Sequence, residues 1–153
     1  MTQLSPHFTL AELTASNKAA QLGIDNTPPP ELLPRLIRLA EMLERIRSTL
    51  MVPIVVTSGY RCRALNVAVG GVTSSDHSQG QAADFQAPNF GTPYEVAKML
   101  APLVSTLGIG QLIYERFGNS AWIHVSTRIP DNVANRIITI TGKGASVGIK
   151  ELA

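Results

Sequence analysis

"GQLIYERFGNSAWIHVST", residues 110–127, contains two runs of strand-forming residues on either side of a short connection. The runs "GQLIYE" and "SAWIHVST" are rich in β-branched and aromatic residues, and the tight "RFGN" between them reads as the turn of an antiparallel hairpin. Successive side chains of a strand face opposite ways, so Trp122, His124 and Ser126 share one face and Ile123 and Val125 the other. Outward from the hairpin, "QAADFQ" is a strand that groups Ala82, Asp84 and Gln86. "VPIVVTSGY" is a β-branched run closed by Gly59, and "NRIITIT" reads as the final strand. The clearest helix covers about 31–50, after the stiff "NTPPPE", because Leu32, Leu36, Leu39, Leu43, Ile46 and Leu50 recur at three- and four-residue steps. "TLAE", Thr9 to Glu12, reads as a capping box opening a short helix. "RALNVAVGG" suits a helical turn stopped by Gly70 and Gly71. "TPYEVAKMLAPLV" has Thr92 as N-cap, Pro93 at the first helical position and Glu95 completing a box, with Pro102 ending or kinking the helix. Helices come first and strands mostly later, which indicates an α+β fold with an antiparallel sheet and flanking helices.

The bulk numbers fit one domain, residues 1–153, with 44% hydrophobic and 16% charged residues. A net charge of +2 without any Lys/Arg run excludes an evident nucleic-acid partner, although it allows weak attraction to an anionic polymer such as a cell wall. Cys62 is the only cysteine, so neither an intrachain disulfide nor a cysteine-rich zinc site is expected. "MTQLSPHFTLAELTAS" lacks a basic region followed by an apolar core and does not read as a signal peptide. No apolar run is long enough to span a bilayer.

The chemistry centres on "SSDHSQGQAADFQ", residues 74–86, where His77 and Asp84 flank Gly80. A carboxylate entering an apolar strand needs a partner, because an unpaired buried charge is costly. Catalytic zinc takes imidazole nitrogens and carboxylate oxygens, with three protein ligands and a position left for water. His77, Asp84 and His124 would supply that set. Taken singly, each also fits a plain structural role: a capped turn, an aspartate paired with an arginine, a half-buried strand histidine. His7 reads as solvated, and Met42 and Met99 read as core. "VGGVTS" is not a phosphate loop, since it lacks the following Lys-Ser/Thr.

The series "SGYRCRALNVAVGG…SSDHSQGQAADF…LIYE…WIHVS" resembles the M15 family of zinc D-Ala-D-Ala peptidases and phage endolysins, in the branch with an SGYR…HxxGxAxD…WxHxS pattern. The resemblance runs from "FTLAEL" through "NR". It implies the α+β fold shared by D-Ala-D-Ala peptidases and the Hedgehog signalling domain, and one zinc held by His77, Asp84 and His124. It implies that Arg61 holds substrate and stabilises the developing oxyanion, a task suited to a fixed guanidinium, though Arg61 also fits a turn arginine bonding carbonyls. It implies a substrate contact for Ser75, for which a capping role is equally open. Better-known branches place a Glu or Asp base two or three residues before the last histidine; here those places hold Ala121 and Trp122, neither of which takes a proton. Glu115 is the substitute. If the hairpin pairs Glu115 with Trp122, Glu115 lies diagonal to His124 on the same face, about 7–8 Å away, whereas a one-residue slip turns it aside. Asp76 is an outside candidate, and Trp122 either lines a substrate groove or fills the sheet face.

The expected function is hydrolysis of peptide bonds in bacterial peptidoglycan stems by a zinc peptidase, of D-Ala-D-Ala carboxypeptidase or murein endopeptidase type. The chain is expected to be a monomer made in the cytoplasm, from host or phage, acting on the cell wall. A non-catalytic, zinc-stabilised wall-binding or phage structural module is the rival, supported by the missing base, and an intracellular peptidase of recycled muropeptides is a third reading.

Overall fold

The structure is a computed structural model that describes residues 2–152. In chain order the elements are β1 (Gln3–Ser5), β2 (Phe8–Thr9), α1 (Leu10–Thr14), α2 (Asn17–Leu22), α3 (Leu33–Leu50), β3 (Val55–Ser58), α4 (Arg63–Ala68), β4 (Ala82–Gln86), α5 (Pro93–Leu100), α6 (Val104–Leu107), β5 (Gln111–Phe117), β6 (Ser120–Ser126), β7 (Ile137–Thr141) and β8 (Gly144–Val147). Short 3-10 turns at Pro30–Leu32 and Asp76–Gln79 precede α3 and β4. The architecture is α+β: β1 and β2 form a small hairpin, and the main sheet has the order β3-β4-β6-β5-β7-β8.

One face of that sheet is apolar. Ala83 and Phe85 of β4, Ile123 and Val125 of β6, and Leu112 and Tyr114 of β5 join a core with Leu36, Leu39, Leu43 and Ile46 of α3 and Val96 and Leu100 of α5. Full burial of each large aliphatic side chain contributes about 1.5–3 kcal/mol, so α3 is held chiefly by its leucine stripe. The alternate residues, Asp84, His124 and Glu115 among them, therefore face the other way. That face carries the site, with the turn segment 69–77 beside it.

Several local readings change in the structure. Arg116 and Phe117 continue β5, so the connection is only Gly118–Asn119, with Gly118 at φ 62°. The sheet is mixed instead of antiparallel throughout, because β7 pairs parallel with β5. The segment 127–136 has only to cross the N-terminal end of β5 to start β7. Gly110 permits that crossing, since a Cβ there would lie 2.4 Å from the Arg128 carbonyl. Leu112 N–H donates to the Arg136 carbonyl at 2.7 Å, which closes the crossing. Met99 is 41% exposed, lying off the face defined by Val96, Ala97 and Leu100, while Met42 is core as expected. His7 is exposed, as expected, but its Nδ1 also lies 2.9 Å from Glu44 Oε2, and Ser5 Oγ bonds Glu44, so one carboxylate ties the β1–β2 hairpin to α3. Thr92 and Glu95 form the full capping box. Thr9 accepts from the Glu12 N–H, but the Glu12 carboxylate meets the Thr9 hydroxyl and not its backbone.

The turn after β3 is held unusually tightly. Tyr60 N–H donates to the Leu13 carbonyl at 2.7 Å. Asn26 Nδ2 donates to the carbonyls of Thr14 and Tyr60, each at 2.9 Å, and its Oδ1 accepts from Cys62 N–H at 2.8 Å. Gly59 is required here by space and not by φ. A Cβ at Gly59 would stand 2.2 Å from the Leu13 oxygen, so Gly59→Ala is expected to lose at least about 3 kcal/mol in chemical denaturation. Gly118→Ala meets nothing within 4 Å and is expected to lose only the positive-φ penalty of about 1–2 kcal/mol. Equal losses would contradict this placement of the turn.

Candidate metal centre

Antiparallel pairing sets Asp84 and His124 directly opposite each other on β4 and β6. His124 Nδ1 lies 3.0 Å from Asp84 Oδ1. The third residue, His77, comes from the 3-10 turn, where the Ser75 hydroxyl accepts the His77 backbone N–H at 3.2 Å and Gly80 closes the turn at φ 68°. His77 Nδ1 lies 2.8 Å from the Gly59 carbonyl, which can only accept, so Nδ1 carries the proton and Nε2 is left with its lone pair. That Nε2 lies 3.4 Å from the same Asp84 Oδ1. The two imidazoles meet edge to face, with centroids 5.1 Å apart. Ligand atoms of His77, Asp84 and His124 all fall within 4.8 Å of one another, the one such group of three among the described residues. Two imidazole nitrogens and a carboxylate oxygen, one nitrogen already held in its donor tautomer, suit zinc and leave a coordination position open.

The electrostatics follow from that crowding. Burial alone would raise the Asp84 carboxyl, yet the hydrogen bond from His124 and the imidazole of His77 close by hold it well below the usual carboxylate range. Burial would likewise lower His124, but its bond to Asp84 and the charges of Asp84 and Glu115 raise it. For His77 burial prevails, and the imidazole is shifted down towards the neutral form that a metal requires.

Glu115 pairs with Trp122, while Ile113 pairs with His124. This is the register that places Glu115 diagonal to His124 and on its face. Burial pushes the Glu115 carboxyl above its ordinary value, with Arg61 and His124 opposing and Asp84 assisting. A cavity of about 650 Å³ unites Arg61, Ser75, Asp84, Glu115, Trp122 and His124. Arg61 is fixed through its backbone, which donates to the His77 carbonyl at 3.2 Å, and its Nε is buried with no hydrogen-bond partner among the described residues. Burial lowers that guanidinium, with Asp84 and Glu115 opposing. Ser75 is the cap of the His77 turn and also lines the cavity. Trp122 lines the cavity too and stacks on Phe117, with centroids 5.9 Å apart. Asp76 is bonded to Ser126 and Arg128 and is not one of the donor group, although it borders the same cavity and its charge adds to the raising of His124.

Phe117 lines the cavity as well. The alternation Ile113, Glu115 reaches it one step further on, beyond the run "QLIYE" and inside what looks like a turn.

A family model described as Peptidase M15 matches residues 6–126, a span that holds all three donors, Arg61 and Glu115 and stops short of β7 and β8. No curated protein matches the chain.

Elemental analysis of protein reconstituted with zinc is expected to give one ion per chain, and His77→Ala is expected to lose most of it. Zinc must displace the His124 proton, which the raised pKa retains to higher pH than an ordinary imidazole. Affinity is therefore expected to keep rising with pH above about 6.5. An affinity independent of pH in that range would contradict the coupling of His124 to Asp84.

Proposed function

The chain belongs to the M15 peptidase family, and from that premise we propose that residues 1–153 act as a single zinc metallopeptidase domain on stem peptides of bacterial peptidoglycan. The cleavage is of carboxypeptidase or endopeptidase type. The observation that carries the reading is the β5–β6 register, which supports a carboxylate, Glu115, beside a site whose own strand offers only Ala121 and Trp122 ahead of His124. The rival reading of a non-catalytic module drew its support from that gap.

Zinc, when bound, supplies Lewis acidity that brings the pKa of water down towards ~7. His77, Asp84 and His124 would hold the ion. Glu115 takes the proton released by the attacking water and returns it to the leaving amine. Its upward-shifted carboxyl suits both halves of that transfer, because a carboxylate that takes a proton more readily is the stronger base and, once protonated, an acid for the leaving amine. Arg61 lines the same cavity and offers guanidinium donors to the oxyanion that forms at the scissile carbonyl. Among the described residues no helix is long and apolar enough to cross a membrane. We place the site of action at the cell wall, reached after synthesis in the cytoplasm, with the net charge of +2 favouring anionic wall polymers.

Hydrolysis of purified peptidoglycan is expected to stop on chelation and to return with zinc. Glu115→Gln is expected to bind zinc normally, keep its melting temperature and lose ~10²–10⁴ in turnover. A variant as active as wild type would place the base elsewhere; zinc and wall binding without hydrolysis in either protein would favour the module. Arg61→Lys is expected to keep fold and metal but to lose more than ~2 kcal/mol of transition-state stabilisation, since an ammonium lacks the planar donor fork. Wild-type kinetics in that variant would reduce Arg61 to a turn residue.

A further inference from the structure

Asp76 is the neighbour of a metal-site histidine, yet its carboxylate faces the end of β6. It is 8% exposed. Its Oδ2 accepts from Ser126 Oγ at 2.8 Å and its Oδ1 from Arg128 Nε at 2.7 Å. The Ser126 hydroxyl in turn accepts the Arg128 backbone N–H at 3.1 Å, so the three residues form a closed triangle. A backbone strap runs beside it: the Asp76 carbonyl accepts from Gln81 N–H at 3.0 Å, and the Gln81 carbonyl from Thr127 N–H at 2.9 Å.

His77 follows Asp76 directly, and Ser126 lies on the same face of β6 as His124. The carboxylate thus joins the two elements that bring in the two imidazoles. Those elements differ in stiffness. His124 sits on a strand paired on both sides, whereas His77 sits on a single 3-10 turn. The Gly59 bond sets how the His77 ring is turned, but it does not set the distance from that turn to β6. A working metal site needs its ligands within about 0.5 Å of the productive geometry. A charge-assisted, buried pair of bonds is the kind of contact that holds such a distance.

We propose that Asp76 is a positioning residue for the metal centre, anchoring the His77 turn to the end of β6 at one spacing, with Arg128 balancing its charge. The inference rests on the reading of His77, Asp84 and His124 as zinc ligands.

The test compares wild type, Asp76→Asn, Arg128→Gln and the double variant. Three quantities are read: zinc Kd by competition with a chromophoric chelator, the visible spectrum of the Co²⁺-loaded protein, and melting of the zinc-free protein. Asp76→Asn is expected to weaken zinc 10–100-fold and to change the cobalt spectrum, as loss of a supporting contact does. Arg128→Gln is expected to move both in the same direction by less, and the double variant to be no worse than Asp76→Asn. Folded variants with a zinc Kd within twofold of wild type overturn the proposal. So does a lower melting temperature with unchanged Kd and spectrum, which marks a purely structural contact. If Asp76→Asn fails to fold, Arg128→Gln, altered at a half-exposed side chain, decides by the same criteria. Wild-type protein that takes up no zinc removes the metal reading itself, a result distinct from zinc uptake that the variants leave unchanged.

Discussion

One carboxylate oxygen lies 3.0 Å from the His124 imidazole and 3.4 Å from that of His77, and the site is arranged around that contact. Asp84 belongs to β4, an interior strand between β3 and β6, so its charge cannot swing out into solvent as a loop aspartate could. Partly buried and ionised, it needs positive charge close by. The His124 imidazole, which holds its proton more readily beside that carboxylate, answers the need, and a metal cation in the site would answer it too. The same demand defines the β4–β6 register. A slip of one residue would send Asp84 into the space of Phe85, opposite Ile123 in the apolar core, where no charged partner faces it.

The division of the sheet into two faces turns this local demand into a site. α3 and α5 cover the apolar face and leave the other open, so His124, Asp84 and Glu115 project from a stiff support whose spacing is that of the strands themselves. Strand-borne groups need no further fixing. His77 and Arg61 come from turns, and the structure spends its polar contacts there: Asn26 bonds both α1 and the turn, Gly59 receives the His77 ring, and Arg61 N–H reaches the His77 carbonyl. The two turns are thereby bonded to each other as well as to the body of the protein.

The parts of the fold written in short-range periodicity were legible in the sequence. The leucine stripe of α3, the capping box of α5 and the alternation of β4 and β6 each reflect a contact repeated every turn or every second residue. The juxtaposition of Asp84 and His124 was legible for the same reason, because alternation put each on the polar face of its strand, whereas His77, carried in by a 3-10 turn, follows no such period. What escaped depends on pairings at long range or on single contacts. β8 is an edge strand, Gly144–Val147, exposed throughout and lacking an apolar alternation. The parallel pairing of β7 with β5 arises from how the chain crosses one end of β5, which no window of residues records. Glu44 holding His7 and Asp76 holding Arg128 are likewise single contacts between distant segments, and a lone acidic residue on a surface pattern does not reveal its partner. Met99 shows the limit of composition: an apolar residue one place off the buried face is simply exposed.

The central claim is that the trio forms a zinc site, and anomalous diffraction tests it most directly. Crystals grown with zinc, measured on both sides of the zinc absorption edge, are predicted to show one strong anomalous peak per chain. It should lie between His77 Nε2, Asp84 Oδ1 and His124 Nδ1, at about 2.0–2.2 Å from each. A map with no peak at that position, or with zinc only on exposed carboxylates elsewhere, would contradict the account.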